Sequence, residues 1–206
     1  MAVQLFSYIL SIIGLCGLIL ATISNEWKIT GHDNDETVYQ VKYEGLWMKC
    51  HADPTIHNTK CISYISIFHQ LVEIQASRAV MLISIVLSTM AALGTISGLR
   101  CTRFLDGNEA VKNKVSFIGG ILFMLSGLLA VAITVWIMYR IVEDFNEDDK
   151  REDRYVIGRA LYGALAAALL SLIGGTLLCV CSITHLRSHK KISKHPISNS
   201  SGKDYV

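Results

Sequence analysis

Four long apolar runs are the feature that most restricts what this chain of 206 residues can fold into. None contains Asp, Glu, Lys or Arg, and they cover residues of about 5–24, 79–99, 115–138 and 160–183. A helix needs about 20 apolar residues to cross roughly 30 Å of hydrocarbon, and each run is long enough. The first run also lacks the basic start of a signal peptide. We therefore expect four uncleaved transmembrane helices.

The charged residues are few, and they are sorted by segment. They make up 17% of the chain, against about 25% in an average soluble domain. Bases outnumber acids in residues 100–114 and 185–206, and such segments face the cytoplasm in membrane proteins. We therefore expect a multi-pass plasma-membrane protein with both termini in the cytoplasm. Its membrane domain would cover residues 1–184, with extracellular loops at 25–77 and 139–158.

The apolar runs carry no ionisable side chain, although pumps and proton-coupled transporters usually keep such groups at membrane depth. The sequence also shows no Ser-His-Asp grouping, no Gly-rich phosphate loop and no cluster of metal ligands. We therefore expect neither a transporter nor an enzyme, with no catalytic site, no metal site and no cofactor. The bilayer is the expected partner of the helices, and no nucleic-acid partner is expected.

The first loop shows two local patterns. Apolar and polar residues alternate over 39–44, which predicts a half-buried strand, and the turn-rich residues 31–35 before it could close a hairpin. Apolar residues then recur every three positions, at Ile62, Ile65, Phe68 and Leu71. That spacing predicts a short amphipathic helix leading into the second apolar run.

Cys50 and Cys61 are the only cysteines in the segments predicted to be extracellular. In an oxidising space they are expected to form a disulfide. A zinc site that recruits His51 and His57 is the alternative, but the spacing of these residues does not match that of usual zinc ligands. The disulfide is therefore the expected state of the pair.

The first loop also carries a recognisable motif. It contains, in order, Trp27, Gly45, Leu46, Trp47, Cys50 and Cys61. This order resembles the claudin signature W…GLW-x-x-C…C, and residues 75–81, 98–102, 144–145 and 158–162 resemble further parts of that family. The resemblance implies a mainly α membrane protein, a left-handed four-transmembrane-helix bundle with a small extracellular antiparallel β-sheet. The signature is shared with peripheral myelin protein 22-like proteins and the auxiliary gamma subunits of channels.

The resemblance gives the signature residues a structural role. Trp27, Gly45, Leu46 and Trp47 are expected to tie the sheet to the outer mouth of the bundle. For Arg78, at the outer end of the second run, it implies an anchor that binds loop carbonyls. An arginine that merely extends its side chain to the membrane interface is the other reading.

The resemblance also implies a structural function at tight junctions. Such proteins assemble with themselves and with other claudins, side by side in cis and across cells in trans, and they set paracellular ion permeability. By position, Ile67 would be an apolar knob, and Phe145 and Ile157 would line the pocket of the next protomer. Alternatively, Ile67 packs on its own bundle. An accessory tetraspan that modulates a channel or receptor is the alternative function.

Asp53 follows Cys50 by three residues. In cation-selective claudins an acid at this place faces the pore, where a carboxylate attracts cations and repels anions. A solvated turn residue, just before Pro54, is the other reading of Asp53.

Residues 185–206 are polar and predict a flexible cytoplasmic tail. The chain ends in Lys203, Asp204, Tyr205 and Val206. An apolar last residue with a free carboxylate suits a PDZ domain, and this ending resembles the claudin terminus that binds zonula occludens scaffolds. Three cysteines near the predicted inner membrane boundary are either palmitoylation sites or free thiols: Cys101, Cys179 and Cys181.

Overall fold

A computed structural model describes residues 2–30, 41–53, 58–64, 72–98, 109–147 and 155–193. These residues form four helices and five short strands. The elements are α1 (Ala2–Ile23), β1 (Lys28–Thr30), β2 (Val41–Glu44), β3 (Met48–Asp53), β4 (Asn58–Ser63), α2 (Val72–Gly98), α3 (Glu109–Glu147), β5 (Tyr155–Ile157) and α4 (Arg159–Ser193). All four helices are long and apolar enough to cross a membrane, which confirms the prediction from the apolar runs.

The helices pack as a bundle in which α3 contacts both α2 and α4, and α4 also contacts α1. Contact between α1 and α2 is slight. On α2 all buried positions but Ala92 alternate between steps of four and three residues, through Ser77, Met81, Ser84, Ser88, Ala91, Thr95 and Gly98. A mean step of 3.5 residues is the spacing of left-handed supercoiled packing. Most of these residues are small, so the helices can approach closely.

The contact between α1 and α4 shows how close that approach is. A Cβ placed on Gly14 would lie 2.8 Å from the Ser171 nitrogen, and one on Gly174 would lie 2.8 Å from the Ser11 nitrogen. The two backbones are therefore in direct contact at both glycines. Between α2 and α3, Ser88 and Ser126 share a hydrogen bond. Such polar links satisfy hydroxyl groups that have no water partner in hydrocarbon.

The five strands form one antiparallel sheet in the order β4-β3-β2-β1-β5. Strand β1 lies between β2, its neighbour in sequence, and β5, which comes from the segment between α3 and α4. Both connections therefore contribute strands to the sheet. The strand predicted over 39–44 is confirmed from Val41 onward, and its antiparallel pairing with β1 confirms the hairpin. The predicted turn at 31–35 lies outside the described residues.

The helix predicted over 62–71 is wrong at its first position. Ile62 belongs to β4, where it pairs with Lys49 of β3, and positions 65, 68 and 71 lie outside the described residues. Ile62 is 58% exposed in this strand, so the spacing of three residues begins at an exposed strand position and not on a helix.

Two helices continue beyond the apolar runs that predicted them. Helix α3 reaches Glu147, so the loop predicted from residue 139 is helical over its first part. Its buried stripe explains this, because Ile133, Ile137 and Ile141 are spaced four apart and all are at most 8% exposed. Helix α4 reaches Ser193, which corrects the flexible tail predicted from residue 185. Bases near a helix C-terminus, as at 187–191, favour helix.

Candidate functional site

The candidate site is the junction where the sheet meets the end of the bundle. Helix α1 ends at Ile23, and the last carbonyls of any helix lack partners within it. The Trp27 indole Nε1 donates to the Ala21 carbonyl at 2.8 Å, and the Trp47 Nε1 donates to the Thr22 carbonyl at 2.9 Å. Both signature tryptophans therefore cap the same helix end.

The turn between β2 and β3 places these groups. A Cβ on Gly45 would lie 2.5 Å from the Asn25 Cα, so only glycine allows the turn to approach the end of α1 this closely. The next residue, Leu46, is 2% exposed and packs in the same buried cluster as Trp27. The Gly45-Leu46-Trp47 turn thus inserts one apolar side chain and presents one indole donor.

Arg78 of α2 holds this turn from the other side. Its Nε donates to the Leu46 carbonyl at 2.6 Å. Its guanidinium carbon lies 5.1 Å from the ring centre of Trp47 and 5.1 Å from that of Tyr64, within the range of cation–π attraction. The structure thus shows the carbonyl contact that the anchor reading of Arg78 implies.

Tyr64 supports the same turn with its hydroxyl group, which donates to the Gly45 carbonyl at 3.3 Å. The pKa of Tyr64 is raised to about 12, mainly by burial and then by the charge of Glu44, while the charge of Arg78 opposes the shift. The hydroxyl therefore stays protonated and remains a donor across the physiological range. Sequence reasoning missed this residue, because its partners are distant along the chain.

A second connection joins the sheet to α4. The Gly158 nitrogen donates to the Trp27 carbonyl at 2.9 Å, and the Ala160 nitrogen donates to the Glu26 carbonyl at 3.1 Å. Because Ala160 lies in the first turn of α4, the Glu26 carbonyl satisfies one of the free donors at that helix end. The residues around Trp27 therefore link α1, β1 and α4 at one place.

Charged side chains connect the remaining elements. Arg140 of α3 donates from Nε to Oε1 of Glu73 on α2 at 2.8 Å, and from Nη1 to Glu143 at 3.0 Å. In the sheet, the Glu44 carboxylate accepts bonds from the Lys49 ammonium at 2.5 Å and the Tyr155 hydroxyl at 3.1 Å. The contact of Arg140 with Glu143 could be predicted from their spacing of three residues on one helix. The contact of Arg140 with Glu73 on α2 could not, because it depends on how the helices pack.

The disulfide between Cys50 and Cys61 is present, as predicted. It joins β3 to β4 at directly opposed positions, and Cys50 is 4% exposed. The cross-link therefore fixes the register of the strand pair that lies farthest from β5.

Replacing both cysteines by serine is expected to destabilise the protein by about 3 kcal/mol, because a closed loop of this size restricts the unfolded chain by about that amount. Chemical denaturation of the purified protein, with and without reductant, measures the difference. Reductant should shift the wild type to the midpoint of the double variant and leave the variant unchanged. Equal midpoints for oxidised wild type and variant would contradict the expectation.

The predicted assembly and pore residues are only partly described. Asp53 ends β3, paired with Asn58 through the backbone, and Phe145 lies in α3, but neither side chain is among those described. Ile67 lies outside the described residues. Ile157 ends β5 and packs against its own core cluster, while its neighbour Val156 is 39% exposed.

Of the three cysteines predicted at the inner boundary, two are described, and they differ in burial. Cys179 is buried, and its thiol donates to the Phe117 carbonyl at 3.7 Å. An acyl chain has no room there, so the burial argues against palmitoylation at Cys179. Cys181 is half-buried, whereas Cys101 and residues 203–206 lie outside the described part of the chain. Among the described residues, no three His, Cys, Asp or Glu side chains are grouped to hold a metal ion.

Comparison with known proteins agrees with this architecture. The model of the PMP-22/EMP/MP20/Claudin family matches residues 1–178. Mouse claudin-1 is 37% identical over 98% of this chain and 97% of its own length. Mouse claudin-14 is 38% identical over 87% of this chain and 75% of its own, and mouse claudin-7 is 33% identical over 98% and 97%. The chain therefore belongs to the PMP-22/EMP/MP20/Claudin family, and within it to the claudins.

Proposed function

We propose that this protein is a structural component of tight junctions. It assembles with itself and with other claudins, in cis and in trans, and so seals the paracellular space and sets its ion permeability. The observation that carries the proposal is the rigid connection of the sheet to the bundle. The sheet is held by the two indole caps, by the Arg78 contact and by the hydrogen bonds to the Glu26 and Trp27 carbonyls. A sheet held in this way can present a defined surface to a neighbouring molecule.

The sheet is assigned to the extracellular side, and both termini to the cytoplasm. Two observations support this orientation. The disulfide lies in the sheet and needs an oxidising space. The excess of bases in residues 100–114 and 185–206 belongs on the cytoplasmic side. Both observations support a plasma-membrane protein whose sheet lies outside the cell.

Assembly in cis is assigned to Ile67 of one protomer and to Phe145 and Ile157 of the next. An apolar knob in an apolar pocket is the kind of contact that anchors an interface. The terminal residues Lys203, Asp204, Tyr205 and Val206 are assigned to a PDZ scaffold of the zonula occludens type. Cys101 and Cys181 remain the proposed palmitoylation sites.

Expression in cells that lack tight junctions tests the function. The tagged protein is expected to concentrate at contacts between two expressing cells and not at contacts with non-expressing cells. Removal of Tyr205 and Val206 should abolish colocalisation with the scaffold, while Lys194→Ala, upstream of the four assigned residues, should preserve it. Uniform surface staining would contradict the junction role and favour the accessory tetraspan.

Asp53→Asn is expected to lower the permeability ratio of Na⁺ to Cl⁻ about fivefold. The reason is that a carboxylate within about 4 Å of a cation in water contributes about 1 kcal/mol. Dilution potentials across an expressing cell monolayer measure the ratio. Asp35→Asn, in the same loop, serves as the matched control and should change it little. Equal effects of the two substitutions would contradict the assignment of Asp53 to the pore.

A further inference from the structure

Two buried polar groups lie unpartnered at the end of the bundle away from the sheet. They are the Nδ2 atom of Asn113, near the start of α3, and the Oγ atom of Ser182 on α4, and neither makes a hydrogen bond with any described residue. The two residues are only 2% and 1% exposed. Buried polar atoms in folded proteins nearly always have a hydrogen-bond partner, which is either another protein group or an ordered water. A partner for both atoms is therefore expected at this place.

The packing of α3 on α4 brings these two residues to the same level. The Cys179 thiol of α4 donates to the Phe117 carbonyl of α3 at 3.7 Å. Asn113 lies four residues before Phe117 and Ser182 three residues after Cys179, so each stays on the face that makes this contact. Because the two helices are antiparallel, both steps lead toward the same end of the bundle. The two unpartnered atoms therefore belong to one interface.

Helix α1 adds two more polar groups at this level. The Nε2 atom of Gln4, a residue that is 5% exposed, donates to the fully buried Ser116 hydroxyl of α3 at 3.1 Å. Ser116 lies one turn from Asn113 on the same face of α3. The charge-free runs of α3 and α4 cover residues 115–138 and 160–183, so these groups lie where the apolar spans end and water is close. A small ligand at this place can meet polar groups from three helices.

We propose that a bound water molecule bridges Asn113 and Ser182 and joins α3 to α4 at this end of the bundle. Water both accepts and donates, so it accepts from the Asn113 amide and donates to the Ser182 hydroxyl. Buried waters typically make about three hydrogen bonds, and Ser116, whose hydroxyl accepts from Gln4, can donate the third. A metal ion fits less well, because the Asn113 amide nitrogen can only donate.

The bridge gives the contact between α3 and α4 two different parts. Nearer the middle of the span the backbones touch directly, since a Cβ on Gly120 would lie 3.0 Å from the Gly175 carbonyl oxygen. At the level of Asn113 and Ser182 the contact is made through water. The proposal needs only the folded bundle and does not depend on assembly at junctions.

Solid-state NMR of the full-length protein in lipid bilayers tests for the water. Asparagine is labelled with the heavy nitrogen isotope, and the side-chain signal of Asn113 is assigned by its loss in Asn113→Leu. We expect magnetisation to pass from water to the Asn113 amide in the wild type, and to pass more slowly in Ser182→Ala, which removes the second partner of the water. An absence of transfer in the wild type, or equal rates in the two proteins, would overturn the proposal.

The stability of Ser182→Ala gives a second test through the sign of its effect. If water joins the two residues, loss of the hydroxyl should raise the equilibrium constant for unfolding in detergent about fivefold. If the hydroxyl is buried dry, its replacement by a methyl group leaves the protein as stable as before or more stable. Asn113→Leu should also raise the constant, and the double variant should show less than the product of the two effects.

Ser84→Ala is the matched control for the stability test. Ser84 is fully buried on α2, and its hydroxyl donates to the Val80 carbonyl of the same helix at 2.9 Å. Because this bond joins no second helix, its loss should change the unfolding constant little. Equal effects of Ser182→Ala and Ser84→Ala, or a gain in stability from Ser182→Ala, would contradict the bridge. If Asn113→Leu does not fold, the comparison of the two serine variants still decides the outcome.

Discussion

Gly158→Ala is expected to destabilise the protein by about 3 kcal/mol or to prevent its folding. A Cβ at this position would overlap the Glu26 carbonyl and press on the Trp27 backbone. Backbone atoms cannot rotate away as a flexible side chain can, so the cost lies at the upper end of overpacking. It would also break the hydrogen bonds that join Glu26 and Trp27, just before β1, to the start of α4. The yield of monodisperse protein and its unfolding midpoint in detergent measure the effect.

Gly163→Ala is the matched control, because a Cβ there meets no heavy atom within 4 Å. Gly163 lies within α4, where alanine favours the helix by about 1 kcal/mol over glycine. The same chemical change is therefore expected to destabilise at one position and to stabilise, or to be neutral, at the other. Similar midpoints for both variants would contradict the close contact at Gly158.

Trp27→Ala is expected to cost about 3–5 kcal/mol, which is typical of removing a buried tryptophan. The side chain is 4% exposed and packs in the main buried cluster. Trp27→Phe separates packing from capping, because it keeps a ring but leaves the buried Ala21 carbonyl without its donor. That loss alone should cost about 1–3 kcal/mol. Chemical denaturation of the three proteins measures both differences.

Trp47→Phe is the comparison for the capping bond. Trp47 also caps α1, but it is 36% exposed, so water can replace its donor and the loss should stay below about 1 kcal/mol. Equal costs for Trp27→Phe and Trp47→Phe would show that burial does not distinguish the two caps.

The membrane helices could be predicted from sequence because the absence of charge over a long run is a local property. The extension of α3 could not, because residues 139–147 contain charged groups that end the apolar run. The stripe through Ile137 and Ile141 continues regardless. Strand β5 was also missed, since three residues carry no detectable alternation and pair only because β1 lies beside them.

In the candidate site, too, local features could be predicted from the sequence and tertiary contacts could not. The tryptophans and Arg78 were found through the resemblance, but the carbonyls that accept from the two indoles were not. The Ala21 and Thr22 carbonyls become acceptors only because α1 ends beside the turn at Gly45. Tyr64 and the contact between Glu73 and Arg140 depend on which helices and strands become neighbours. Such pairings are set by tertiary packing, so the residues around them carry no local signal.

The position of β5 at the edge next to β1 has a consequence for biosynthesis. Strands β1 to β4 leave the ribosome before α2, whereas β5 is made only after α3 is complete. Until then β1 has a free edge toward the missing strand, and the Glu26 and Trp27 carbonyls lack their donors from Ala160 and Gly158. A chain that ends before β5 therefore exposes this edge, which gives quality-control proteins a feature by which to distinguish unfinished chains from complete ones.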